Sequence, residues 1–138
     1  MAVKKMDNEI YSEMILECYR NPKNFGTLSN PDISFKDYNP SCGDVIQIDL
    51  KINNNQICDA CFSGSGCAIS RVCADLILSH IKEKGINDIK DIKNSDVINM
   101  LGIELSPMRL KCALLPLKVL KFGVYNYLGE NIKEDIYG

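Results

Sequence analysis

The sequence predicts an α+β domain: a small three-stranded antiparallel sheet with helices packed on one of its faces. Three observations predict it. One stretch alternates apolar and polar residues, two strand-like runs flank that stretch, and helical spacing precedes and follows the block.

The first element is a helix over residues 8–20, with Ile10, Met14, Ile15 and Cys18 on one side and Glu9, Glu13 and Arg20 elsewhere. Asn21-Pro22 ends it, because the residue before a proline is pushed out of the helical region. Asn24, Gly26, Asn30 and Pro31 mark a loop. Strands follow over Ile33 to Tyr38, Val45 to Ile52 and Gln56 to Phe62. In the middle one, Ile46, Ile48, Leu50 and Ile52 alternate with Gln47, Asp49 and Lys51, so one face is buried and the other solvated. Asn53-Asn54-Asn55 is a hairpin turn signal.

Ala68, Val72, Leu76, Ile77, His80 and Ile81 then recur at helical spacing, with Gly85 as the expected stop. A short helix is expected from Ser95, as N-cap, to about Leu101 before Gly102. The last long helix carries Leu114, Leu117, Val119, Leu120, Val124 and Leu128. Residues 1–138 show no repeat, low-complexity block or linker, so a single domain is expected.

Composition narrows the function. With 46% hydrophobic and 25% charged residues, the chain has the profile of a soluble globular protein. A net charge of −2 gives no basic field for nucleic acid. The start, Met-Ala-Val-Lys-Lys-Met-Asp-Asn-Glu-Ile, has no apolar stretch after its lysines, and no run reaches a membrane span, so the expected location is the cytoplasm.

In that reducing setting the seven cysteines point to metal or thiol chemistry for some of them. Cys42 lies in Asn39-Pro40-Ser41-Cys42-Gly43-Asp44, a tight turn between two strands. Cys67 lies in Ser63-Gly64-Ser65-Gly66-Cys67, where glycines let backbone approach a bound group and a helix N-terminus favours thiolate. Cys112 lies in Arg109-Leu110-Lys111-Cys112-Ala113-Leu114-Leu115-Pro116. Pro116 deep in a helix would remove a bond and clash, so the helix is expected to begin near Cys112. All three thiols then sit at element ends. Spacing alone does not show that they meet, and a shared metal site stands level with three unrelated cysteines.

The other four fit packing better. Cys18 and Cys73 lie within helices. Cys58 and Cys61 form a CxxC pair, but in a strand residues three apart point to opposite faces. His80, the only histidine, sits near a helix C-terminus, where it complements the helix dipole.

At these residues the chain resembles, over nearly its whole length, the iron–sulfur cluster assembly scaffolds of the IscU, SufU and NifU N-terminal type. Tyr19-Arg20-Asn21-Pro22-Lys23-Asn24-Phe25-Gly26 is similar to the segment after the family's first helix, and the three cysteine motifs resemble its ligand motifs in order. The resemblance implies a SufE/NifU-like fold in which Cys42, Cys67 and Cys112 meet at one exposed end. It implies that they accept sulfur from a cysteine desulfurase and bind iron, with Asp44 as labile ligand or tuner of release. The cargo would be a transient [2Fe–2S] cluster, passed to recipient apo iron–sulfur proteins by a carrier that is not an enzyme. A hard oxygen ligand among soft thiolates suits a site that gives its cluster away.

Two departures matter. Lys111 stands where the IscU and NifU branches have histidine, which raises the weight on Asp44. That lysine resembles the SufU branch, yet the SufU insertion between the second and third cysteines is absent. Leu105-Ser106-Pro107-Met108-Arg109 only partly resembles the chaperone-binding motif of IscU, which leaves a dedicated chaperone doubtful. The alternative reading is a sulfurtransferase with Zn²⁺ on Cys42, Asp44, Cys67 and Cys112, and a third is a structural zinc module whose fold depends on metal.

Overall fold

A computed structural model describes residues 12–40 and 43–130. Helix α1 spans Glu13–Arg20 and is capped by Ser12, whose hydroxyl accepts the Ile15 N–H at 3.3 Å. Ile15 is buried and Cys18 packs against the core, but Met14 is exposed, so the apolar stripe is narrower than its spacing suggests. Ile10 and the rest of residues 8–11 lie outside the described residues. The helix ends at Asn21, ahead of Pro22, as expected.

Strands β1 (Ile33–Asn39), β2 (Asp44–Asn53) and β3 (Gln56–Ser65) form one antiparallel sheet in that order. Asn54 and Asn55 both adopt positive φ, 54° and 61°, the two left-handed positions of a two-residue hairpin turn. Ile46, Ile48 and Leu50 are buried on the inner face. The polar face is not wholly solvated: Asp49 is buried and accepts hydrogen bonds from the Leu28 N–H, Ser34 and Gln47.

A register shift between Lys51 and Ile52 makes Cys58 an extra residue, since Lys51 pairs with Asp59 and Ile52 with Ile57. Ile57 and Ala60, three apart, are therefore both buried. The bulge corrects the expectation that Cys58 and Cys61 alternate across the strand as packing residues. Cys58 is exposed and Cys61 half-buried, and neither belongs to the core.

Helix α2 (Ala68–Ile81) packs on β3, and helix α4 (Pro107–Leu128) packs on β1 and β2, so both cover one face of the sheet. Between them lie a 3₁₀ turn (Ile86–Asp91) and helix α3 (Asn94–Leu101). Gly123 brings α4 close to β1: a Cβ there would lie 2.8 Å from Ile33 Cγ2.

Three expected boundaries move. Helix α2 stops at Ile81, and Gly85 instead pairs with Gln56, while the Ile57 N–H donates to the Lys84 carbonyl and extends the edge of β3. Helix α3 begins one residue before Ser95: Lys93 is the N-cap, and its N–H donates to Asp96 at 2.8 Å. Helix α4 begins at Pro107, not near Cys112. Ser106 caps it and Pro107 takes the first position, where the missing N–H costs nothing. Pro116 is internal. Its cost of about 3 kcal/mol is offset by burial of Cys112, Ala113, Leu115, Leu117, Val119 and Leu120 along the same helix.

Candidate metal centre

Strand pairing builds the site. Val45 lies opposite Ser65, so the start of β2 stands beside the end of β3, where Gly66-Cys67 leads into α2. Gly66 has φ of +147°, and a Cβ there would lie 2.3 Å from Asp44 Oδ1. Only glycine lets the carboxylate lie against this backbone. Asp44 Oδ1 accepts the Cys67 N–H at 2.9 Å, and Oδ2 lies 3.5 Å from Cys67 Sγ, within reach of a thiol hydrogen bond.

Cys67 is the N-cap of α2, as expected, and its carbonyl accepts the Ser70 hydroxyl at 3.2 Å. Cys112 arrives from α4, which packs against both β2 and α2. Possible ligand atoms of Asp44, Cys67 and Cys112 all lie within 4.8 Å of one another. Two thiols and a carboxylate at that separation are a donor set for zinc or iron.

The structure thus brings together three of the four residues singled out in the sequence. The fourth, Cys42, lies outside the described residues, two positions before Asp44. Cys112 stands in the second turn of its helix and not at an N-terminus, so it owes its place to packing rather than to a helix end. Asp44 and Cys112 are buried and Cys67 is half-buried, so the described part is a recess rather than an open surface. Lys111 is exposed beside Cys112.

The remaining thiols behave differently. Burial, then hydrogen bonding and charge from Asp75, push the Cys18 thiol up to about 12. Burial, with Cys67 and Cys18 as neighbours, pushes Cys73 up to about 12. Both are held as neutral thiols near neutral pH. The sequence reading missed one residue, Arg71, one turn beyond Cys67. Its guanidinium lies 5.4 Å from the Tyr19 ring centre and 5.0 Å from that of Phe25. A cation four residues after a candidate ligand on a helix was the available signal.

The NifU-like N-terminal domain model matches residues 10–134. An iron–sulfur cluster assembly scaffold protein IscU from Escherichia coli K12 is 31% identical over 121 residues, covering 85% of this chain and 93% of the relative. IscU from Buchnera aphidicola of Schizaphis graminum is 32% identical over 127 residues, covering 89% and 98%. The zinc-dependent sulfurtransferase SufU of Bacillus subtilis is 33% identical over 139 positions, covering 88% and 94%. Since 88% of 138 residues is about 121, that relative carries residues this chain lacks.

Among solved structures, a putative scaffold for the SUF system from Fervidobacterium islandicum is 27% identical. It has a TM-score of 0.71, with 85% of this chain and 98% of that one covered. A NifU-like N-terminal protein from Brucella abortus, 17% identical with a TM-score of 0.72 and coverages of 91% and 99%, shares the fold. No helix among the described residues is long and apolar enough to cross a membrane. The chain belongs to the NifU-like N-terminal domain family.

Proposed function

We propose that residues 1–138 form a single-domain scaffold that assembles a transient [2Fe–2S] cluster from iron and desulfurase-derived sulfur and passes it to apo iron–sulfur proteins in the cytoplasm. The observation that carries this reading is the convergence of Asp44, Cys67 and Cys112 from three separate elements. Cys42, two residues from Asp44, is proposed as the further thiolate. The cluster is cargo, so the protein is a carrier rather than an enzyme.

In this reading the two buried groups and the half-buried Cys67 divide the work. Cys67 and Cys112 offer soft sulfur, and Asp44 offers a hard oxygen that binds iron less firmly. The Cys67 N–H fixes the carboxylate in place before iron arrives. Cargo held by one weaker ligand can be exchanged without unfolding the site.

Anaerobic reconstitution with iron, cysteine and a cysteine desulfurase tests the proposal. A thiolate-to-iron absorption band is expected in the wild type and its loss in Cys67→Ala. A wild type that takes up no cluster, or a cluster indifferent to Cys67→Ala, overturns it.

The second reading is a zinc-containing sulfurtransferase using the same four side chains. The exposed Lys111 and the Bacillus subtilis relative support it; the residues of that relative missing from this chain weigh against it. Mass spectrometry for a protein persulfide, with metal analysis of anaerobically isolated protein, separates the two. Zinc found after aerobic purification does not decide, because zinc readily fills vacated thiolate sites.

A further inference from the structure

Helix α2, which begins at the recess, also carries a cation that the candidate ligands do not use. Arg71 is the fourth residue after Cys67 on α2, and the two are hydrogen-bonded neighbours through the Arg71 N–H and the Cys67 carbonyl at 3.4 Å. Residues four apart share a helix face, about 5–6 Å between Cβ atoms, and helical side chains lean toward the N-terminus. Arg71 therefore stands on the Cys67 side of α2.

Its guanidinium lies against Tyr19, at the end of α1, and Phe25, in the following loop. Tyr19 and Phe25 are 42% and 49% exposed, large values for aromatic residues. Phe25 is held in turn by an edge contact to Phe62, with ring centres 5.4 Å apart, and by backbone hydrogen bonds joining Asn24 and Gly26 to Phe62. Phe25 is thus tied to β3, and Tyr19 is carried by α1.

Arg71 makes no ion pair with any described residue, and its Nε is buried without a hydrogen-bond partner among them. Arg20 and Lys23, both exposed and on the segment that carries the two rings, have no ion pair among the described residues either. In a chain of net charge −2, three cations with no ion pair among the described residues thus lie on α2 beside Cys67 and on the segment that carries the two exposed rings. A cation held between aromatic faces is pre-ordered to bind a carboxylate through its terminal guanidinium N–H groups.

We propose that Arg71, Tyr19 and Phe25, with Arg20 and Lys23 around them, form the docking point for an acidic segment of the sulfur-donating cysteine desulfurase. This rests on the reading that the site takes sulfur from such an enzyme. The donor is favoured over a recipient by the shape of the site. Cys67 is half-buried, so a sulfur donor has to reach into the recess to meet it, and Arg71 lies one helical turn from that thiol. A persulfide terminus is itself anionic and approaches with the same sign of charge as the carboxylate that Arg71 would hold.

The test is the affinity of the full chain for its own organism's purified cysteine desulfurase, measured by fluorescence anisotropy at low and at high salt. Sulfur uptake is followed in parallel by mass spectrometry. Arg71→Glu is expected to weaken binding about tenfold or more, and Phe25→Ala to weaken it less. Wild-type affinity should fall as salt rises, and Arg71→Glu should flatten that dependence. Arg71→Met, which keeps the aliphatic stem, carries the same test if Arg71→Glu melts early, and should lose affinity without losing helical circular dichroism.

Wild-type affinity in Arg71→Glu and Arg71→Met, or a wild-type affinity indifferent to salt, overturns the docking point. Sulfur uptake by the wild type in that case leaves the scaffold reading standing. A wild type that binds no desulfurase and takes up no sulfur ends both. Tight salt-dependent binding by a recipient apoprotein, lost in Arg71→Glu while desulfurase binding is unchanged, assigns the corner to the recipient and overturns the proposal.

Discussion

Thiols and a buried aspartate meet at two places in this molecule, and the surroundings of the two carboxylates differ. At the sheet end, Asp44 is 1% exposed and turns its carboxylate toward the Cys67 N–H and thiol, with Cys112 alongside. On α2, Asp75 is 3% exposed and its carboxylate accepts the N–H groups of Lys23 and Asn24, the Asn24 side-chain amide and the Cys18 thiol. Asp75 thus ties the α1–β1 loop to α2, and its oxygens are consumed by structure. The Asp44 carboxylate also accepts a backbone N–H, from Cys67, but it stands beside the thiols of Cys67 and Cys112. The difference teaches that residue type does not make a candidate metal site: among the described residues both carboxylates accept backbone N–H groups, but Asp44 stands within 4.8 Å of two thiols while Asp75 accepts from the one thiol of Cys18.

The largest expected effect breaks the structural member of this pair. Asp75→Ala leaves several buried or half-buried donors without acceptors, at about 1–3 kcal/mol each, so a loss of about 3 kcal/mol or more is expected in urea unfolding. A loss below about 1 kcal/mol would show that water replaces the carboxylate there and that the contrast is overstated.

Gly66→Ala attacks the other member. The new Cβ would overlap Asp44 Oδ1 at a backbone angle that disfavours any side chain. About 1–3 kcal/mol of stability should be lost. The sharper reading is metal retention: at a temperature where the variant stays folded, it should release reconstituted iron faster than the wild type. Unchanged iron release would mean that Asp44 does not hold its position through this contact.

The pH dependence sharpens the comparison further. Cys18 and Cys73 have folded-state values raised from 9.0 to about 12. A group whose folded value is raised contributes stability that is fully present below the unfolded value. That contribution is lost as pH rises from about 9 toward 12. Thermal melts should therefore fall over this range in wild type and fall less steeply in Cys73→Ala, measured against that variant's own value at neutral pH. Equal slopes would remove Cys73 from the explanation. The smallest effect is expected at Cys58→Ser, where an exposed bulge residue changes stability by less than about 0.5 kcal/mol and leaves cluster uptake intact.

Much of the fold was legible because it is written locally. Alternation through Ile46, Ile48 and Leu50 marked β2, and Asn54-Asn55 marked its hairpin. Helical spacing after Cys67 marked α2. Boundaries failed where two local signals competed. Pro116 argued for a late start to α4, but Ser106-Pro107 is a better start, and burial of the long helix tolerates the internal proline. Likewise, the bulge at Cys58 depends on how β2 and β3 pair, which neither strand reveals by itself.

The sequence by itself determined which residues could hold a metal: three cysteine motifs with Asp44 beside the first, and the family they resemble. Tertiary structure alone decided that Asp44, Cys67 and Cys112 share one recess. These residues are separated by 23 and 45 positions, and no periodicity acts over such distances. They meet because antiparallel pairing sets Asp44 beside Gly66-Cys67 and because α4 packs across β2 and α2. It also decided that Cys73, on the same helix as Cys67, is sealed as a neutral thiol, since burial and not residue type fixes where its proton goes.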